Sequence, residues 1–421
     1  MTKTTRKPDY VLLATVGALV AIGLVMVYSA SFVEGFRQHD NQYYYLLRQM
    51  VGASIGAVGL LVAQRLDYRF WQRYSVHLMG LALVLLVLVL VLPESVTKVN
   101  NSRSWIRFGE GVFGLFSVQP SEIAKLALIV YFANWLSHRS QKVGNVTYGL
   151  IPFAVMLGLV CGLVMLEPDL GTTLVIVLIA SAIYFVAGAN LWHVVGAGGL
   201  GAAAFFMLVR FSGFRDNLRI KAFLDPWQYY DGPGYQPIHA LYALGSGGIF
   251  GQGLGQARQK FQWLPQAHTD AILAIIGEEL GLVGTLLVLG GFTLIAYRGY
   301  TIALRSEDPF AALMATGITT WLVVQGLINM AVTTSLIPFT GLTLPFLSYG
   351  STSLITCMVS VGILLNLSRH TVARTPEEPA DGPIIRRSPA LPILAAVAEW
   401  GRNGRARLPS AGSRRGATRR R

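Results

Sequence analysis

Residues 309–368 contain no Asp, Glu, Lys or Arg, and neither do residues 170–209. Each run is long enough for two helices of the roughly 20 apolar residues that span a bilayer, joined by a tight turn. Irregular backbone or an open sheet cannot cross lipid with its amides unpaired, so such runs restrict the chain to helices. Only 13% of the residues are charged, against about 25% in a soluble domain. The sequence therefore reads as an all-α polytopic membrane protein. About ten spans are expected, near residues 10–31, 45–64, 74–93, 119–136, 147–166, 169–187, 190–210, 269–297, 310–333 and 344–367. The first apolar run lacks a small-residue cleavage site and is expected to stay as a helix.

The net charge of +13 does not point to nucleic acid. It lies in short connections and in the tail, where positive residues report orientation. Arg65, Arg69, Arg73, Arg139, Lys142, Arg298 and Arg305 fall on one side if the number of spans is even, as do the basic head (1–9) and tail (369–421). Both termini are then cytoplasmic. The tail is rich in Pro, Arg and Gly and is expected to be disordered, with a short apolar insert at 391–400. Two outer loops are long enough to be functional, 93–118 and 211–267. In the second, Ile238, Leu241, Tyr242 and Leu244 are expected to form the apolar face of a short surface helix. Cys161 and Cys357 lie in apolar spans and are expected to pack as small hydrophobes. No His-Glu-x-x-His, paired-Cys or Walker sequence is present, which argues against a zinc protease, an iron–sulfur protein and a self-powered ATP pump.

Charges inside spans carry the chemistry. Only about a dozen uncharged residues follow Lys125, so the fourth span must take Glu122 and Lys125 into the membrane. Three apart, they share a helix face. They form either a packing ion pair or a polar cavity where Lys125 meets an anion. Asp169, after Pro168, is expected to cap the next helix. Asp270 ends the polar stretch Gln266-Ala-His-Thr-Asp270 and sits near a helix start, where an ionised carboxylate is favoured. Capping and catalysis both remain open for it on these residues alone. Of Glu278 and Glu279, at least one must face the interior or the inner boundary.

The chain resembles the SEDS family of bacterial cell-wall proteins (shape, elongation, division and sporulation) over about residues 10–368. The resemblance rests on Gln119-Pro-Ser-Glu-Ile-Ala-Lys125, Glu167-Pro-Asp-Leu-Gly-Thr172, Gly245-Ser-Gly-Gly-Ile-Phe-Gly-Gln-Gly-Leu-Gly255, Leu264-Pro-Gln-Ala-His-Thr-Asp270, Ile275-Ile-Gly-Glu-Glu-Leu-Gly281 and Leu344-Pro-Phe-Leu-Ser-Tyr-Gly350. Ala267, Ile276-Gly277, Asn329-Met-Ala-Val and Pro345-Phe346 resemble its division branch more than its elongation branch. Ala271 and Leu273 stand where the family usually has aromatic residues, a change expected to widen the pocket near Asp270.

The resemblance implies a ten-helix fold and a glycosyltransferase that polymerises lipid II at the outer face of the cytoplasmic membrane for septal wall synthesis. It implies a class B penicillin-binding protein as partner, among other division proteins. Asp270 is carried over as the catalytic residue, a general base for an inverting transfer, with His268 and Thr269 beside it on the substrate. Glu122 is also carried as a substrate-binding candidate. Arg103, Lys125, Arg258 and Lys260 are the candidates to stabilise the pyrophosphate, with or without a divalent cation such as Mg or Mn. A lipid II flippase, an elongation polymerase and a non-catalytic scaffold are the competing readings.

Overall fold

The computed structural model describes residues 7–97, 104–107, 117–139, 143–190 and 215–371, with only scattered positions between 191 and 214. The seventh expected span, the 391–400 insert, almost all of the basic tail and Arg103 lie outside the described residues. Apart from one antiparallel pair, β1 (Ile106–Arg107) with β2 (Ser117–Val118), the described chain is helical. The membrane helices are α1 (Tyr10–His39), α2 (Tyr44–Arg65), α3 (Ser75–Val91), α4 (Pro120–Ser137), α5 (Ile151–Leu166) and α6 (Leu170–Val186). After the long loop, with its helices α7 (Arg215–Leu224) and α8 (Tyr235–Gly247), come α9 (Ile272–Arg305), α10 (Pro309–Thr333) and α11 (Ser351–Arg369). By length and composition six of the described helices can cross a membrane, that containing α5 being extended by a π turn at Val146–Leu150. Helices α3 and α6 are apolar but shorter, and α4 carries Glu122 and Lys125.

Helix α10 is the centre of the bundle, buried along almost its whole length. Small residues let its neighbours approach, a packing mode suited to lipid, where apolar burial gives little drive. A Cβ on Gly317 would strike Ile129 of α4 and Ile183 of α6, and one on Gly326 would strike Phe292 of α9. Helix α2 packs on α11 in the same way, Gly52 against Ser351 and Gly56 against Met358.

The ends of the bundle differ. At one, Asp9 caps α1 through Leu12 N and pairs with Arg298, while its backbone amide reaches Ser368 on α11. At the other, α1 continues past its apolar run to His39. Its C-cap, Asp40, is in the left-handed region (φ 52°). The first span thus overshoots the expected boundary at residue 31, and its extra turns reach the polar site.

Two further expectations are corrected. The eighth span starts at Ile272 and breaks at Gly281, whose φ of 68° is outside helical space. There residues 247–253 stand in for the missing helical turn: Leu282 N donates to Gly248 O, Val283 N to Ile249 O, Gln252 N to Glu278 O and Gly253 N to Glu279 O. In α8, Leu241 and Tyr242 are exposed, and the buried face is Ile238, His239, Ala240, Ala243 and Gly247. Ile238 is buried as expected and Leu244 meets Gly277 of α9, whereas at Gly247 a Cβ would fall 1.8 Å from Gly277 O, so no side chain fits at that point of contact.

Candidate active site

A polar cavity of about 1310 Å3 opens at the end of the bundle away from the Asp9–Arg298 pair. The end of α1 and start of α2 supply Glu34, His39, Tyr44, Tyr45 and Arg48. The α5–α6 turn supplies Asp169, and the start of α4 supplies Gln119 and Glu122. The long loop supplies Arg219, Tyr235 and Gln236. Two facing loops also line it, with Gln266, His268, Thr269 and Asp270 on one and residues 339–343 on the other.

Asp270 does not cap α9. The N-cap position is Ala271, and no side chain caps that end. Its carboxylate lines the cavity instead, and accepts a hydrogen bond from Thr269 Oγ1 at 2.5 Å. The loop carrying it is clamped from three sides. Asn329 Nδ2, buried on α10, donates to Asp270 O at 2.8 Å and to Leu342 O at 2.7 Å. Ser348 Oγ donates to Thr269 O, and Tyr349 N donates to His268 O at 2.8 Å. Gly341 faces the carboxylate with φ 69°, and a Cβ there would stand 3.5 Å from Asp270 Oδ2. A side chain held through its own backbone in this manner can present one geometry to a reactant.

Protein surrounds Asp270 on every side but the cavity. That burial raises its pKa above the usual carboxylate range, while the Thr269 hydrogen bond and the Arg219 charge pull it back down. Burial lowers the pKa of His268 to about 4, so its imidazole is neutral at physiological pH. The ring packs at 4.5 Å from Tyr45 and 5.5 Å from Tyr349.

Glu122 and Lys125 meet as the spacing implies, at 2.7 Å and out of solvent. Lys125 Nζ also donates to Gln325 Oε1 at 2.6 Å and lies 5.0 Å from the Trp321 ring centroid. Trp321 Nε1 donates to the same Gln325 oxygen, and Gln325 Nε2 carries the network on to the Thr343 carbonyl. Glu122 reaches the cavity wall, whereas Lys125 sits behind it. Asp169 caps α6 by accepting from Thr172 N at 2.9 Å and lines the cavity as well.

Arg258 and Lys260 are not brought to this cavity. Lys260 Nζ is buried against Glu279 at 2.8 Å and Ser29 at 3.2 Å, and Arg258 meets Glu278 through its backbone amide. Both glutamates therefore face the interior. Ala271 and Leu273 are buried in the core, not on the cavity wall, so the missing aromatic rings do not widen it. Among the described residues the arginines that do line it are Arg48 and Arg219. Arg48 had a readable signal, an arginine inside an apolar span. Arg219 had only its place in a long loop. Among the described residues no three His, Cys, Asp or Glu side chains gather as a metal site.

The sequence profile of the cell cycle protein family FtsW/RodA/SpoVE matches residues 10–373. The chain belongs to this family. It is 42% identical over 374 residues to a protein of Trichlorobacter lovleyi named "Probable peptidoglycan glycosyltransferase FtsW", covering 87% of this chain and 96% of that one. It is 42% identical over 374 residues to stage V sporulation protein E of Bacillus subtilis, covering 88% and 100%. Among solved structures, a chain of a peptidoglycan synthase complex that coordinates polymerization and crosslinking is 29% identical with a TM-score of 0.69, covering 86% of this chain and 98% of that one. The crystal structure of the rod shape determining protein RodA of Thermus thermophilus is 29% identical with a TM-score of 0.63, covering 87% and 98%. The helical fold expected from the sequence is the fold of this family.

Proposed function

We propose that the chain is a peptidoglycan glycosyltransferase that polymerises lipid II on the outer side of the cytoplasmic membrane, in septal wall synthesis, with a class B penicillin-binding protein as partner. The observation that carries this reading is Asp270: a carboxylate held by its backbone at the wall of a large polar cavity, with Arg48 and Arg219 on the same walls. The names of the relatives support the reaction class.

Asp270 accepts the proton of the acceptor sugar hydroxyl, within hydrogen-bond reach. The hydroxyl oxygen bonds to the donor's anomeric carbon as the carbon–oxygen bond to the lipid pyrophosphate breaks. Displacement from the opposite face inverts α to β. The departing pyrophosphate takes the negative charge, and Arg48 and Arg219 supply the compensating positive field. No second carboxylate acid is needed for so good a leaving group. Glu122 and Asp169, carboxylates on the cavity wall, would hold a divalent cation, which would offset the charge of the departing pyrophosphate.

Glycan synthesis from lipid II by the purified protein with its partner, wild type against Asp270→Ala, tests the reading. Strands from wild type and none from the variant support it. Equal synthesis by both removes Asp270 from the chemistry. Absence of synthesis by wild type, with lipid II crossing proteoliposome membranes, favours a flippase.

The orientation is part of the proposal: cavity outside, both termini cytoplasmic. A cysteine at Ser410 then resists an impermeant thiol reagent in intact cells, and one at Gln256 reacts. The reverse pattern inverts the topology.

A further inference from the structure

Phe250 is 83% exposed, the most exposed large apolar side chain among the described residues. It belongs to a patch. Ile249, Leu254, Phe261 and Trp263 are exposed on the same loop, beside Leu282, Leu286 and Leu287 on α9. The link is through the backbone, since the amides of Leu282 and Val283 donate to the carbonyls of Gly248 and Ile249. The loop is thereby fixed to a particular level of a membrane helix.

That level can be found from the length of α9. Arg298, paired with Asp9, marks the boundary far from the cavity. From residue 298 back to residue 282 the helix rises about 24 Å at 1.5 Å per residue. The hydrocarbon core is about 30 Å thick. Leu282, and the loop bonded to it, therefore lie about 6 Å inside the hydrocarbon on the cavity side.

The loop is built for that depth. Irregular backbone survives at membrane depth only where its polar groups are paired within the protein. Here Gly251 N bonds Gly247 O, and Gln252 N and Gly253 N bond the Glu278 and Glu279 carbonyls exposed by the break at Gly281. These amides turn inward, the exposed Gln252 side chain folds back to donate to Ser246 O, and Ile249, Phe250 and Leu254 lie outward. Trp263, nearer the cavity loop, has the amphipathic ring favoured at the headgroup level.

We infer that residues 248–254 form a re-entrant loop whose Ile249, Phe250 and Leu254 insert into the acyl region of the cavity-side leaflet. The occupant of this apolar patch is lipid. Trp263 marks its headgroup border. Because the chain runs from this loop through Lys260 to Asp270, the anchor fixes the height of the cavity relative to the bilayer surface.

The test is nitroxide accessibility on the full-length protein in phosphatidylcholine–phosphatidylglycerol nanodiscs. Single cysteines replace Phe250, Leu286 and Gln256 in a Cys161→Ser, Cys357→Ser background. Leu286 supplies the lipid-facing reference, and Gln256, exposed on the same loop, the aqueous one. The expected result is a Phe250 label accessible to oxygen and shielded from a water-soluble nickel chelate, like that at Leu286. Nickel accessibility equal to that at Gln256 would overturn the inference by placing the tip in water. Shielding from both reagents would overturn it in favour of cover by another polypeptide. Because the Phe250→Cys variant can lose folding, an Ile249→Cys label read the same way serves as the second site.

Discussion

Lys260 Nζ lies 2.8 Å from Glu279 Oε1, with both side chains wholly out of solvent, and Ser29 of α1 hydrogen-bonds the same carboxylate. The pair ties the long loop to α9 two residues before its break and to the first helix. A loop lysine that reads as a phosphate ligand in sequence is thus a structural strut.

Breaking such a buried pair by removing one partner costs about 3–5 kcal/mol, because the other charge is left uncompensated. Lys260→Met is expected to lower the thermal unfolding temperature in detergent sharply. The double variant Lys260→Met, Glu279→Leu is expected to recover most of the loss, since both charges leave together. A Lys260→Met protein of normal stability with a raised KM for lipid II would instead return Lys260 to the substrate.

Asn329 is a positioning residue on the same logic. It does not itself line the cavity but holds the carbonyls of Asp270 and Leu342, joining the two loops that face each other across the site. A displacement of about 1 Å can cost about 10²-fold in rate. Asn329→Leu is expected to lower kcat by that order with little change in KM. An unchanged kcat alongside a lower unfolding temperature would reduce Asn329 to packing.

The pH dependence follows from the environment of Asp270. The base acts only when ionised, and burial raises its pKa, so activity is present above that value and falls as pH drops through it. The acid limb should therefore lie higher than for an exposed aspartate. Thr269 and Arg219 both pull the value down. Thr269→Ala and Arg219→Gln are each expected to move the acid limb of kcat/KM to higher pH. A shift to lower pH, or none in either variant, would show that another group sets that limb.

Much of this was legible in the sequence because the bilayer is a strict solvent. The length of a span obliged Glu122 and Lys125 to be buried, and they are buried together. Asp169 after Pro168 announced a helix cap, and the cap is there. Arg48 satisfied the rule that singled out Lys125, an ionisable group inside an apolar span, yet only the structure showed that it lines the cavity. Contacts between distant segments were not legible. Nothing local to Lys260 reveals that it folds back on Glu279 and Ser29. Nothing near Gly281 reveals that residues 247–253 complete the hydrogen bonds its break leaves open. The face of α8 was legible only in part: Ile238 is buried and Leu244 meets Gly277 of α9, but Leu241 and Tyr242 remain outside, and the close backbone contact at Gly247 has no periodic signature.

The decisive substitution is Asp270→Asn. It is nearly isosteric, and with no cap contributed by Asp270 at the start of α9, helix stability does not depend on the carboxylate. The backbone clamp from Asn329, Ser348 and Tyr349 involves the carbonyls of residues 268–270 and is untouched. Folding and partner binding should therefore survive. The variant lacks only a group able to accept the sugar hydroxyl proton, a loss of about 10²–10⁴-fold in polymerisation rate. Asp270→Glu keeps the carboxylate but pushes it one methylene further toward the opposing loop at Gly341. It is expected to fall between wild type and Asp270→Asn. Glycan strand synthesis at matched protein levels reads both variants. Robust polymerisation by Asp270→Asn would end the general-base role and remove Asp270 from the chemistry.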